Sequence, residues 1–223
     1  SVAIATAVCG MIVGIVNMTG IGLQLANIII KASGGSLFLT MLLTMIACVI
    51  LGMGMPTSAA YIVAATVATG AMTSLDVPKA AAHLFVLYYA ALSAITPPVA
   101  LASYAGAGIA GASPNKVGWT AVRIGLLAFV IPFIFVYSPE LMMLRGTSIT
   151  IGWAFVTACV GCYCLGGAMI GYLKTSLKFY ERIALLVAAI CLIVSGTITD
   201  AVGIVLLAGV LTLERLRMKK GAA

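Results

Sequence analysis

Two short stretches hold the residues best placed to do chemistry: GMGMPTS, Gly52 to Ser58, and SAITPP, Ser93 to Pro98. Each interrupts a strongly apolar run. A helix broken at membrane depth frees N–H and C=O groups, and each costs several kcal/mol unless protein, ion or water satisfies it. In the first stretch Gly52 and Gly54 permit unusual backbone angles, Pro56 removes a donor, and Thr57 and Ser58 offer hydroxyl oxygens. In the second, Ser93 and Thr96 add hydroxyls beside the carbonyls around Pro97 and Pro98, which donate nothing. Such oxygen clusters suit a hard cation such as Na⁺, and a half-helix restarting after a break aims its positive N-terminus at an anion. The competing reading is a packing kink without a ligand, because Gly and Pro are frequent in membrane helices.

The elements that must position these stretches are set by composition. Of 223 residues, 63% are hydrophobic and 8% charged, and the mean hydropathy is +1.24. No single soluble core hides that much apolar surface, so the solvent is lipid. Long unbroken runs, without alternation of apolar and polar residues, favour an all-α polytopic bundle over an outer-membrane barrel. The net charge of +7 sits in short loops and in the tail RLRMKK, Arg215 to Lys220. That is juxtamembrane charge, and without a basic stripe interleaved with aromatics it excludes nucleic acid as a partner. The chain starts inside an apolar run and reads as a piece of a longer polypeptide.

Along the chain, Val2 to Val16 carries the small-xxx-small pattern GMIVG, and Asn17 to Lys31 suits an amphipathic helix at the interface. Leu37 to Leu51 and Tyr61 to Met72 are each too short to cross about 30 Å of hydrocarbon at about 1.5 Å per residue. Together they read as one span broken at GMGMPTS. Lys79 to Ile95 and Val99 to Ala112, joined by Thr96, Pro97 and Pro98, read as a re-entrant hairpin whose tip cannot stay helical. Val117 to Tyr137 is a single span containing Arg123, which can snorkel. Ile149 to Leu173 is another, with GAMIG at Gly167 to Gly171. Ile183 to Leu213, interrupted by SGTITD, has basic flanks on both sides and suggests a short hairpin; one long broken span is the alternative.

Other signals carry less chemistry. GAGIAG, Gly106 to Gly111, matches a dinucleotide fingerprint in letters, but no strand precedes it and close helix packing explains it better. Cys159, Cys162 and Cys164 form a C-x-x-C-x-C run without His or acidic neighbours, so packing is expected rather than a metal. His83, the single histidine, reads as an interfacial residue near the Asp76 and Lys79 loop; a proton relay is the other reading. Asp200 is the one acid within an apolar segment. There is no H-E-x-x-H, no G-x-S-x-G and no pair of in-membrane carboxylates, so no catalytic residue is expected and the chain does not read as an enzyme.

GMGMPTSAAYIVAA, AAHLFVLYYAALSAITPPVALASYAGAGIAGA and IPFIFVYSPEL resemble the large membrane subunit of tripartite ATP-independent periplasmic (TRAP) transporters, and among them the fused permeases of the TAXI subclass. The likeness runs over nearly the whole chain and is most specific from Gly52 to Leu141. It implies a multi-pass protein of the bacterial inner membrane: a sodium-driven importer of small organic acids that moves its cargo by an elevator motion. Such a protein takes its substrate from a periplasmic binding protein (TAXI type). It also works with a small four-helix subunit or fused domain, and with the first repeat of the same permease. The implied division is 1–141 as the second repeat of the transport domain, with arm helix, broken helix, re-entrant hairpin and last span. Residues 142–223 would be a C-terminal membrane extension.

Carried onto this chain, the resemblance places Gly52, Met53, Gly54, Ser93 and Thr96 at the sodium site. Thr57, Ser58, Thr96, Pro97 and Pro98 fall at the substrate site. It implies no cofactor and no metal besides the coupling Na⁺. Gly52 and Gly54 are expected in backbone conformations closed to a residue with a Cβ, and the helix starting near Thr57 is expected to face the substrate carboxylate. A non-transporting membrane scaffold or assembly subunit, whose breaks only shape packing, is the alternative function.

Overall fold

Prolines and glycines punctuate the chain, and apolar residues fill what lies between. The computed structural model describes residues 7, 10, 11, 14–16, 18–144, 146–173, 175, 177–193 and 196–221, with backbone alone for 197, 198 and 215–221. The regular elements are helices: α1 (Ile21–Ser33), α2 (Leu37–Gly52), α3 (Thr57–Thr73), α4 (Lys79–Leu92), α5 (Leu101–Ala110), α6 (Pro114–Ile124), α7 (Leu126–Tyr137), α8 (Ser148–Ile170), α9 (Phe179–Ile193) and α10 (Thr197–Gly221). Pro56, Pro78 and Pro114 each sit at a helix start, where a missing N–H removes no bond. The chain divides into two compact units, Ser1–Val136 and Tyr137–Ala223; the division expected after Leu141 lies slightly further along. The Val2 to Val16 run and Asn17 lie largely or wholly outside the described residues.

In the first unit α1 to α4 pack together. α3 presents Ala59, Ala60, Val63, Ala64, Val67, Ala68 and Ala71 to its neighbours, all buried. Side chains this small let helix axes approach closely, the usual route to helix association in lipid. The threonines further along α3 are satisfied by their own helix: the Thr66, Thr69 and Thr73 hydroxyls donate to the carbonyls of Val63 (2.8 Å), Ala65 (2.6 Å) and Thr69 (3.0 Å). The amphipathic segment packs against α3 and α2, with Ala26 and Ile29 buried and Lys31 exposed.

The pairing of the half-helices differs from the sequence reading. α2 and α3 fold back on each other, so GMGMPTS is the turn of a helical hairpin and not a kink in one continuous span. Gly54 at φ +76 and Met53 in extended backbone reverse the chain there. Conversely, α4 and α5 do not pack along each other among the described residues; α5 packs on α6. The Pro-Pro step therefore breaks the path between two helices that have different neighbours. Which side of a break the next helix takes is decided by packing partners distant in sequence.

Val117 to Tyr137 is also not one straight span. α6 and α7 meet at 41°, at Gly125, where an added Cβ would lie 3.0 Å from the Ala121 carbonyl oxygen and 3.2 Å from Ile95 Cδ1. α7 is held by rings: Phe133 meets Phe38, Phe85 and Tyr89, and Tyr88 meets Phe135. The Tyr89 hydroxyl donates to the Phe129 carbonyl one turn from Pro132.

The second unit is built from α8, α9 and α10, with α9 packed on both others. α9 and α10 fold back on each other, which favours the hairpin over one broken span. Gly203 of α10 lies so close to α9 that a Cβ would meet Leu192 Cγ at 2.5 Å. α8 is the one straight helix among the described residues long and apolar enough to cross a membrane; α6 with α7 makes a second if the bent pair counts as one span.

Candidate functional site

The two breaks meet. A Cβ built on Gly52 would lie 2.5 Å from Ser93 Oγ and 2.9 Å from Ser93 Cβ, and one on Gly54 would lie 3.6 Å from Val99 Cγ1. Gly52 is helical and buried, so its requirement is this close approach and not a special φ, as the sequence suggested. Gly54, at φ +76, does hold the conformation expected of it. The turn of the α2–α3 hairpin is thereby seated on the loop between α4 and α5.

The hydroxyls at the two breaks are in different states. Ser93 is 1% exposed, and its Oγ donates to the Ala90 carbonyl at 2.7 Å. The half-buried Thr96 donates to Leu92 at 2.7 Å. Each donation uses the proton and leaves lone pairs for a cation. Thr57 and Ser58, in the first turn of α3, are exposed and have no hydrogen-bond partner among the described residues.

The backbone adds more oxygen. The carbonyls of Met53, Gly54 and Met55 accept no backbone hydrogen bond, nor do those of Thr96 and Pro97. The first α3 donor with a partner is the Ala60 N–H, bonded to the Pro56 carbonyl at 2.9 Å. The preceding amides at Thr57 to Ala59 therefore point out of the helix start. The turn thus has free carbonyls on one side, of the kind that cations take, and free amides on the other, of the kind that anions take.

The proline loop is braced from three sides. Pro97 and Pro98 are joined by a cis peptide. The Tyr104 hydroxyl donates to the Pro98 carbonyl, the Ala102 N–H to Ala94 at 3.0 Å, and Gly118 of α6 brings its backbone against Pro97, where a Cβ would sit 3.1 Å from the ring. The sequence reading named neither Tyr104 nor Gly118. Tyr104 was in view as an aromatic one turn into a helix after a Pro-Pro.

Further contacts lie away from the two breaks. Tyr61 Oη and His83 Nδ1 lie 3.0 Å apart, tying α3 to α4. In the second unit Glu181 and Glu214 are fully buried although they flank the apolar stretch. The Lys178 N–H donates to Glu181 at 2.7 Å, and the Thr175 N–H and hydroxyl donate to Glu214 at 3.2 and 3.0 Å. Asp200 accepts from Trp153 Nε1 at 2.9 Å. Cys159 is exposed and Cys164 buried on the same helix, and among the described residues no three His, Cys, Asp or Glu gather as a metal site.

A family described as tripartite ATP-independent periplasmic transporter, DctM component, matches residues 1–148. No curated protein and no solved structure matches the chain. Helical throughout its regular elements, apolar, and with its two interrupted helices joined at one place inside the matched region, the chain belongs to the DctM family, the large permease component of TRAP transporters, a family of transporters and not of enzymes.

Proposed function

We propose that this chain supplies the second repeat of the transport domain in a sodium-coupled importer of small organic acids, in the bacterial inner membrane. The observation that carries this reading is the contact of the two breaks, Gly52 on Ser93 and Gly54 on Val99. It gathers unbonded carbonyls and exposed hydroxyls from two stretches that contribute no basic side chain: Gly52 to Tyr61 and Ser93 to Tyr104 contain no Lys, Arg or His. A carboxylate there is held by helix amides at Thr57 and Ser58 and by a cation nearby. Na⁺ takes the carbonyls of Met53, Gly54 and Thr96 together with the Thr96 hydroxyl. A periplasmic binding protein of the TAXI type, the first repeat and a small four-helix subunit or domain complete the transporter. The hairpin dipping into the membrane is α2–α3, and the interrupted helix is α4 with α5.

The test is uptake of a carboxylate substrate by the intact complex in vesicles, measured against Na⁺ concentration. Wild type should require Na⁺. Thr96→Val, which keeps shape and β-branching, should raise the half-saturating Na⁺ concentration by about tenfold, the equivalent of one lost oxygen ligand at ~1.4 kcal/mol. Uptake indifferent to Na⁺ in wild type refutes the coupling. Wild-type sodium dependence in Thr96→Val removes that residue from the site. Insertion and assembly without any uptake by the intact complex would favour a scaffold.

A further inference from the structure

We infer that the exposed side of α6 binds an anionic phospholipid, its headgroup between Lys116 and Arg123, away from the side that supports the proline loop, and its acyl chain in the adjoining groove that Lys116 also lines. At 100° per residue Lys116 and Arg123, seven apart, fall on one line along the helix, and Gly118 and Gly125 fall on the other side. The glycine side is the inner one: its backbone abuts Pro97 and Ile95 at the distances given above. The basic side is exposed at both positions. Neither cation has a partner among the described residues, and no Asp or Glu occurs in the sequence between Asp76 and Glu140.

What flanks the two cations is apolar. Trp119 is 66% exposed on one side and Ile124 79% exposed on the other. Lys116, Val117, Thr120, Ala121 and Ile124 line an open groove of about 320 Å³. The Thr120 hydroxyl is turned back to the Lys116 carbonyl at 2.7 Å, so the groove offers carbon walls with one ammonium at its end. A water-soluble anion has no use for those walls, and a neutral lipid has none for the paired charges. A phosphodiester headgroup between Lys116 and Arg123, with an acyl chain along Val117, Ala121 and Ile124, uses both. Trp119 then sits where indole rings favour the boundary between headgroup and hydrocarbon.

The experiment places a photo-reactive benzoylphenylalanine at position 124 in the intact permease. The protein is reconstituted in vesicles of phosphatidylglycerol and phosphatidylcholine at one to three, and the adducts are weighed by mass spectrometry. Phosphatidylglycerol adducts should exceed that lipid's share of the bilayer by about fivefold or more, as two juxtamembrane cations warrant. The double variant Lys116→Gln/Arg123→Gln should return the ratio to the bulk share, whereas Lys116→Arg/Arg123→Lys should keep the enrichment. Adducts in bulk proportion in the wild type, or adducts to another polypeptide segment, overturn the proposal whatever the variants do.

Discussion

Both units are bundles of apolar helices, yet they bury different polar groups. Among the described residues, the buried polar side chains of the first are hydroxyls: Ser33, Thr40, Thr44, Ser93 and Ser103. The second hides three carboxylates, Glu181, Asp200 and Glu214, and each has a named donor on the neighbouring backbone or on Trp153. A buried carboxylate with fixed partners is expensive to disturb, because movement strands a charge. A hydroxyl bonded to its own helix is cheap to carry along. The helix ends differ too. Arg182 closes the C-terminus of α8 by donating to the carbonyls of Ala168 (2.9 Å) and Met169 (3.1 Å), whereas the turn after α2 leaves its carbonyls open. The comparison separates a unit whose polar groups are available from one whose polar groups tie it down.

If that contrast holds, damage to the first unit abolishes transport without unfolding the protein, and damage to the second does the reverse. The largest effect is expected from Gly54→Val. A β-branched residue at φ +76 is strained by roughly 1–3 kcal/mol, and relaxing it moves the carbonyls on both sides, so uptake should fall about 100-fold with normal amounts in the membrane. Uptake near wild type would break the comparison at once. Next comes Gly52→Ala, whose Cβ collides with Ser93; overpacking of roughly 1–3 kcal/mol should lower uptake about tenfold. Ser93→Gly in the same protein should restore it to within about threefold. Failure of that rescue would mean that the two breaks do not meet during transport.

In the second unit, Glu214→Ala leaves the Thr175 amide and hydroxyl without their acceptor, a loss of roughly 1–3 kcal/mol. The thermal midpoint in detergent should drop by several degrees while uptake per folded molecule stays within about twofold. Lost uptake at an unchanged midpoint would move Glu214 into the transport machinery. The smallest effect is expected from Tyr104→Phe. It removes one hydrogen bond to the proline loop, about 1 kcal/mol, and should slow uptake about threefold; an unchanged rate would show that Gly118 and the Ala94 contact brace the loop unaided.

Much of this was legible in the sequence, and the rest was hidden for definite reasons. The two breaks stood out because Gly and Pro interrupt apolar runs, and a family likeness rested on the same letters. In the function proposed above their roles are exchanged. Nothing within GMGMPTS or SAITPP states whether the next helix folds back or leaves for another partner; that is settled by the alanine face of α3 and by the α5–α6 contact. Gly52 looked like a conformational glycine because Gly54 beside it is one, while its actual constraint, Ser93, lies far along the chain. Glu181 and Glu214 sit at the edges of an apolar stretch, where one-dimensional reading places them in water. The fold buries both nonetheless, each bonded to the segment that precedes α9.

The threonines of α3 have one more effect. Because Thr66, Thr69 and Thr73 return their hydroxyls to the carbonyls of their own helix, the alanine-faced arm is joined to α4 by a single side-chain hydrogen bond among the described residues, that of Tyr61 with His83. Displacing it along its axis would break almost no bond and expose almost no unsatisfied group. The resistance to such travel is the friction of small side chains sliding over one another, so this arm is lubricated against α4 rather than latched to it.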